Sequence, residues 1–117
     1  FAWEIVSMSI VNGTAGISGS TVFNLQWINA SNVLQGNILT SNITFTTTYP
    51  SNAHFMKRVT DNVILAGSGL PITNFTFTKR TFFAGERVQL NLIDAMNGAT
   101  DLAILIHWRP INDTDVI

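Results

Sequence analysis

The sequence predicts an all-β fold: an antiparallel β-sandwich, jelly-roll-like, of about eight strands. Three observations predict it. Apolar residues recur at every second position in several short runs. Turn-forming residues punctuate those runs at intervals of about 8–12 residues. No window sustains a helical period; the best helix candidate, His54 to Leu65, is rich in β-branched residues and broken by Asp61-Asn62. The length, 117 residues, reads as a single domain spanning 1–117.

The elements follow in order. Phe1 to Val11 reads as a strand, with Ala2, Val6, Met8 and Ile10 on one parity and Trp3, Ile5 and Val11 on the other. Apolar residues on both faces predict burial on both, by sheet packing or by a neighbouring chain. Asn12 to Ser20 is a glycine-rich turn. Thr21 to Ile28 alternates, with Phe23, Leu25 and Trp27 facing in and Asn24 and Gln26 facing out. Asn29 to Asn37 is a loop. Ile38 to Tyr49 is a Thr-rich strand, because β-branched residues fit a pleated surface. After the Pro50-Ser51-Asn52 turn come short strands at His54 to Thr60 and Val63 to Ala66, then Gly67 to Pro71 as punctuation, then a long strand from Ile72 to Phe83.

The stretch from Thr81 to Arg109 carries the clearest pattern. Val88, Leu90 and Leu92 alternate with Arg87, Gln89 and Asn91. Leu102, Ile104, Ile106 and Trp108 alternate with Ala103, Leu105, His107 and Arg109. Asn97-Gly98 between them tolerates positive φ, so a hairpin from Glu86 to Arg109 is expected. Ala84-Gly85 allows a sharp turn or bulge before it. The expected core is Phe23, Leu25, Trp27, Phe45, Phe75, Phe77, Val88, Leu90, Leu92, Leu102, Ile104 and Ile106.

Composition bounds the function. Hydrophobic residues are 46% of the chain and charged residues only 11%, well below the usual quarter. Either other chains cover much of the surface, or Ser, Thr and Asn build it. A net charge of −1 offers no electrostatic footprint for nucleic acid. The absence of cysteine excludes a disulfide scaffold, a thiolate metal site and a cysteine nucleophile. No apolar run approaches the ~18 residues that span a bilayer, and no signal peptide is visible. The chain opens at Phe1 without methionine, which reads as a processed product or part of something longer. A type IV pilin, which also opens on Phe, is excluded by Glu4, Ser7, Ser9 and Gly13, which forbid a long apolar helix.

No catalytic, metal or cofactor site is legible, and none is expected. His54 and His107 lack sequence partners for zinc or acid–base work. Asp94 and Asp101 flank the Asn97-Gly98 turn, where they either cap it or approach as a carboxylate pair. Asn112-Asp113-Thr114-Asp115 resembles the start of a calcium loop but lacks the glycine and distal glutamate. Trp3, Trp27 and Trp108 offer a stacking platform for sugars, or core packing for the latter two and a subunit contact for Trp3. Asn12, Asn29, Asn42, Asn74 and Asn112 begin N-glycosylation sequons, produced either by polar strand surfaces or by a secreted, glycosylated protein. Phe1, Trp3, Ile5, Val11 and Leu105 lie opposite the expected core or on an edge, and are the expected subunit interface.

The opening WEIVSMSIVNGTAG, the central FNLQW, and FFAGERVQLNL followed by GATDLAILIHW resemble small β-sandwich virion proteins of tailed and related phages. The matching positions are Ala84-Gly85-Glu86, Val88, Leu90 and Asn97-Gly98-Ala99-Thr100. The resemblance implies a non-enzymatic virion protein, a capsid cement, decoration, spike or fibre-head domain. Its partners would be copies of itself, in a trimer by preference, and a capsid or other lattice protein. A glycosylated extracellular filament subunit joined by strand exchange is the alternative, and a carbohydrate-binding module a further one.

Overall fold

A computed structural model describes residues 2–60, 65–66 and 74–112. They form two antiparallel sheets packed as a β-sandwich, with no helix among the described residues. The strands are β1 (Ala2–Thr14), β2 (Ser20–Ile28), β3 (Leu34–Asn37), β4 (Ile43–Thr46), β5 (Ala53–Arg58), β6 (Leu65–Ala66), β7 (Thr81–Phe82), β8 (Arg87–Asp94) and β9 (Thr100–Ile111). In the first sheet β1 is central. It carries β9 along one side and β5 and β7 along the other, with β6 outside β5. In the second sheet β2 is central, with β8 on one side and β3 and β4 sharing the other.

The expected hairpin does not form. β8 pairs with β2 and β9 pairs with β1, so the two strands lie in opposite sheets. The connection between them is an arch. Met96 plugs into the core, its N–H donating to Thr21 Oγ1 at 3.1 Å, while Asn97 bridges to Ser18. Alternation looks the same whether a strand's neighbour lies beside it or across a core. The buried methionine between Asp94 and Gly98 is what turns the chain across.

β1 departs from its expected parity. Trp3 and Ile5 face inward at its start, and Met8, Ile10 and Asn12 face inward after it, because a bulge at Val6 shifts the register between Ile5 and Ser7. Ile5 is therefore fully buried core and no part of an exposed patch. Gly13 marks a close approach: a Cβ there would collide with the Asp101 carbonyl oxygen.

Phe23, Phe45 and Phe55, from β2, β4 and β5, hold the two sheets together. Ring centroids stand 6.2 Å apart for Phe23–Phe45 and 5.4 Å for Phe45–Phe55, and Tyr49 closes edge-on against both of the latter rings. Leu25, Ile38, Ile43 and Phe75 complete this part of the core. Asn24, expected outside, is buried beneath the segment after β3. Its Nδ2 donates to Leu39 O and Asn42 Oδ1, and its Oδ1 accepts from Leu39 N.

The expected long strand ending at Phe83 is mostly irregular where described. Residues 74–80 contact the segment after β3 through Thr40–Thr76 and Leu39–Phe77, and regular pairing resumes only at β7. Its start, and the start of the expected strand from Val63, lie outside the described residues. Residues 34–37, expected as loop, pair with β2 as β3. Phe23, Leu25, Phe45 and Phe75 are buried as expected; Trp27, Phe77, Val88, Leu102, Ile104 and Ile106 are partly buried. Leu90 and Leu92 are about half exposed, at 48% and 49%.

Phe45→Ala removes the ring that touches both sheets and is expected to cost about 3–5 kcal/mol. Val33→Ala, at an exposed loop position, is expected to cost under about 0.5 kcal/mol. Denaturant midpoints of the two variants against the parent check the contrast.

Candidate functional site

Opposite the aromatic cluster the sandwich is open. Among the described residues, β8 has a partner only on its β2 side and β9 only on its β1 side. The two free edges flank a cleft of about 900 Å³ that runs between the sheets. Val88 and Leu90 line one wall, Leu102, Ile104 and Ile106 the other, with Leu25 at the floor. All of these sit on the inward parity of their strands, so the face that alternation assigns to the core is here a surface.

One end of the cleft is aromatic. Phe82 and Trp108 meet edge-on with centroids 5.2 Å apart, and half-exposed Trp3 stands beside them. Lys79 fixes this end, its Nζ lying 4.1 Å from the Trp27 ring centroid, 4.9 Å from that of Phe82 and 3.3 Å from Glu86 Oε2. Glu86 in turn accepts the Phe83 N–H at 2.7 Å across the turn that Gly85, at φ 86°, makes possible. The sequence signal for this turn, Ala84-Gly85-Glu86, was legible; the role of Lys79 was not.

Beyond Leu102, which lines both, lies a separate smaller pocket of about 140 Å³ whose lining includes Asp101. Asp94 caps the arch by accepting the Ala95 N–H at 2.9 Å, and exposed Asp101 accepts the Thr100 hydroxyl at 3.3 Å. Both carboxylates serve their turns. Asn12 is buried beside this pocket, and its Nδ2 has no hydrogen-bond partner among the described residues.

The expected interface residues do not form one patch. Phe1 lies outside the described residues. Trp3 is at the mouth of the cleft and Ile5 is in the core. Val11 is half-buried between His54 and Ala103 on the outer face of the first sheet. Leu105 is on that outer face too, opposite Ser9 and 60% exposed. Trp3 and Leu105 thus point to opposite faces of the same sheet. The bulge in β1 is the physical reason, since it reverses the parity on which they were grouped.

The sequon asparagines divide in the same way. Asn12 is buried, because it follows Met8 and Ile10 on the inward parity after the bulge. Asn42 and Asn74 are exposed, Asn112 is exposed beyond β9, and Asn29 folds its side chain back onto Ser31 N and Val33 N.

His54 and His107 are both exposed, on β5 and β9, with β1 running between them. Among the described residues no three His, Asp or Glu side chains gather where they could hold a metal. No helix among them is long and apolar enough to cross a membrane. The cleft walls are aliphatic and aromatic, with Glu86 and Arg87 the charged groups at the rim, and Arg87 is already engaged with Asn32. What the cleft offers is apolar contact between two strands whose outer edges pair with no described residue. No protein-family model, curated protein or solved structure matches the chain.

Lys79→Met keeps the aliphatic stem but removes the charge that faces two rings and Glu86. It is expected to cost about 1 kcal/mol of stability, and Lys79→Arg less, as read from denaturant midpoints.

Proposed function

We propose that the chain is a structural subunit that works by burying its open β8–β9 side against another chain. The observation that carries this reading is the cleft itself. Leu90, in the cleft, and Leu92, in the smaller pocket beyond Leu102, belong by parity to a core, yet they stand about half exposed on an edge strand. Isolated surface leucines need no explanation, but a contiguous apolar slot between two free strand edges marks a contact. The low charge fraction of 11% agrees with a surface that partners cover.

The setting implied by the sequence resemblance is a virion surface, with copies of the chain or a shell protein as partners. A filament subunit completed by a strand from its neighbour is the second reading. An extended segment laid between β8 and β9 would satisfy both edges and fill the slot.

The test is mass by light scattering and native mass spectrometry. The parent is expected to self-associate or bind a shell or filament partner. Leu90→Lys with Leu92→Lys is expected to abolish that association while leaving the far-ultraviolet circular dichroism β-like. A double variant that associates as well as the parent would show that the cleft is not the contact.

A further inference from the structure

The open side has two edges, and they are not equivalent. β8 alternates its apolar residues with Arg87, Gln89 and Asn91 and ends at Asp94, polar groups of the kind that discourage edge pairing. β9 runs Leu102-Ala103-Ile104-Leu105-Ile106 without a charge, a proline or a bulge, in a strand of 12 residues. Its proline, Pro110, comes only near the end. Long, apolar and paired on one side among the described residues, β9 is a template for another strand.

We propose that β9 pairs with β9 of a second copy of this chain, antiparallel about a two-fold axis beside Leu105. The proposal rests on the structural-subunit reading and supplies the partner and the register. In such a pair, residues directly opposite share a face, so inward residues must meet inward residues. The axis must then pass beside a residue rather than between two. Centring on Leu105 places Ile104 opposite Ile106 of the second copy, Leu102 opposite Trp108, and Ala103 opposite His107. It also brings Asp101, whose backbone leaves the extended conformation at φ 62°, to the level of Arg109, and the two-fold makes that ion pair twice. Both side chains are exposed; Arg109 contacts Glu4 at 3.3 Å through Nη2 alone and is still 61% exposed. Centring on Ile104 would set Arg109 against Ala99, and centring on Ile106 would set it against Ala103. The β9 sequence is therefore self-complementary in charge in one register and not in its neighbours.

The cleft follows the same symmetry. A two-fold perpendicular to the first sheet puts both second sheets on the same side of the joined sheet. The two clefts then face each other, and Leu90 and Leu92 gain Ile104 and Ile106 of the second copy as a further wall. A ladder together with two apolar slots is the kind of contact that reaches the ~1,000 Å² a stable interface needs.

The chain has no cysteine, so single cysteines report the register directly. Under mild oxidation Leu105→Cys is expected to form a covalent dimer, whereas Ala103→Cys and His107→Cys, each facing the other position, are expected to stay uncrosslinked. Asp101→Lys and Arg109→Glu are each expected to weaken dimerisation by about tenfold or more, since each creates two like-charge contacts. Mixing the two variants is expected to restore a dimer, because Lys then faces Glu and Arg faces Asp. That complementation also shows that both variants fold. An associating parent whose Leu105→Cys variant does not crosslink, or whose crosslink appears at Ala103→Cys or His107→Cys, overturns this pairing and leaves the subunit reading standing. A parent that is monomeric at high concentration also overturns the pairing. The subunit reading then stands or falls on the loss of shell or filament binding in the Leu90 and Leu92 variant.

Discussion

Contact between Phe45 and Phe55, with Phe23 behind them, holds the two sheets face to face. Each ring comes from a different strand, and each is fully or almost fully removed from water. Burial of rings of this size is the largest single contribution available to a small all-β domain. The cluster sits toward β4 and β5, so it clamps the sandwich on one side only. On the other side the arch through Met96 sends β8 and β9 into opposite sheets, and no ladder joins them. Closed at one side and unjoined at the other, the fold leaves a slot where a one-chain sandwich would have more core.

Leu90, Leu92 and Trp108 lie on the inward parity of their strands and yet are exposed to water. They are consistent with one another if the wall they lack belongs to a second chain. The ends of the cleft are built more firmly than its middle. Lys79 ties Trp27, Phe82 and Glu86 together at the aromatic end, and Asp94 caps the arch that leaves β8. Between them the only obligations left are apolar surface and backbone edges, the two quantities that strand pairing satisfies together.

The sequence made the fold class legible through its alternation, and the inner faces of β2, β8 and β9 were assigned correctly from it. Connectivity was not legible. Asn97-Gly98 has the chemistry of a tight hairpin, and period-two runs on either side cannot tell a neighbour beside them from one across a core. The buried Met96 was the signal that the connection is an arch. β1 misled for a different reason: a single extra residue at Val6 reverses the faces of everything before it, which moved Ile5 into the core. Leu90 and Leu92 were read as core because parity reports which face a residue is on, and says nothing about whether that face has a partner. Lys79 was invisible as a site residue, since the Trp27 ring it faces comes from β2, far from it in sequence.

The central claim is that the free edge of β9 is buried against another chain. Amide hydrogen exchange across β9, measured at low and high protein concentration, tests it most directly. If a second chain pairs there, the β9 amides that point away from β1 exchange quickly in dilute solution and become protected as concentration rises, while those of β1 and β2 do not change. Exchange along β9 that is the same at every concentration, with or without a partner chain present, would contradict it.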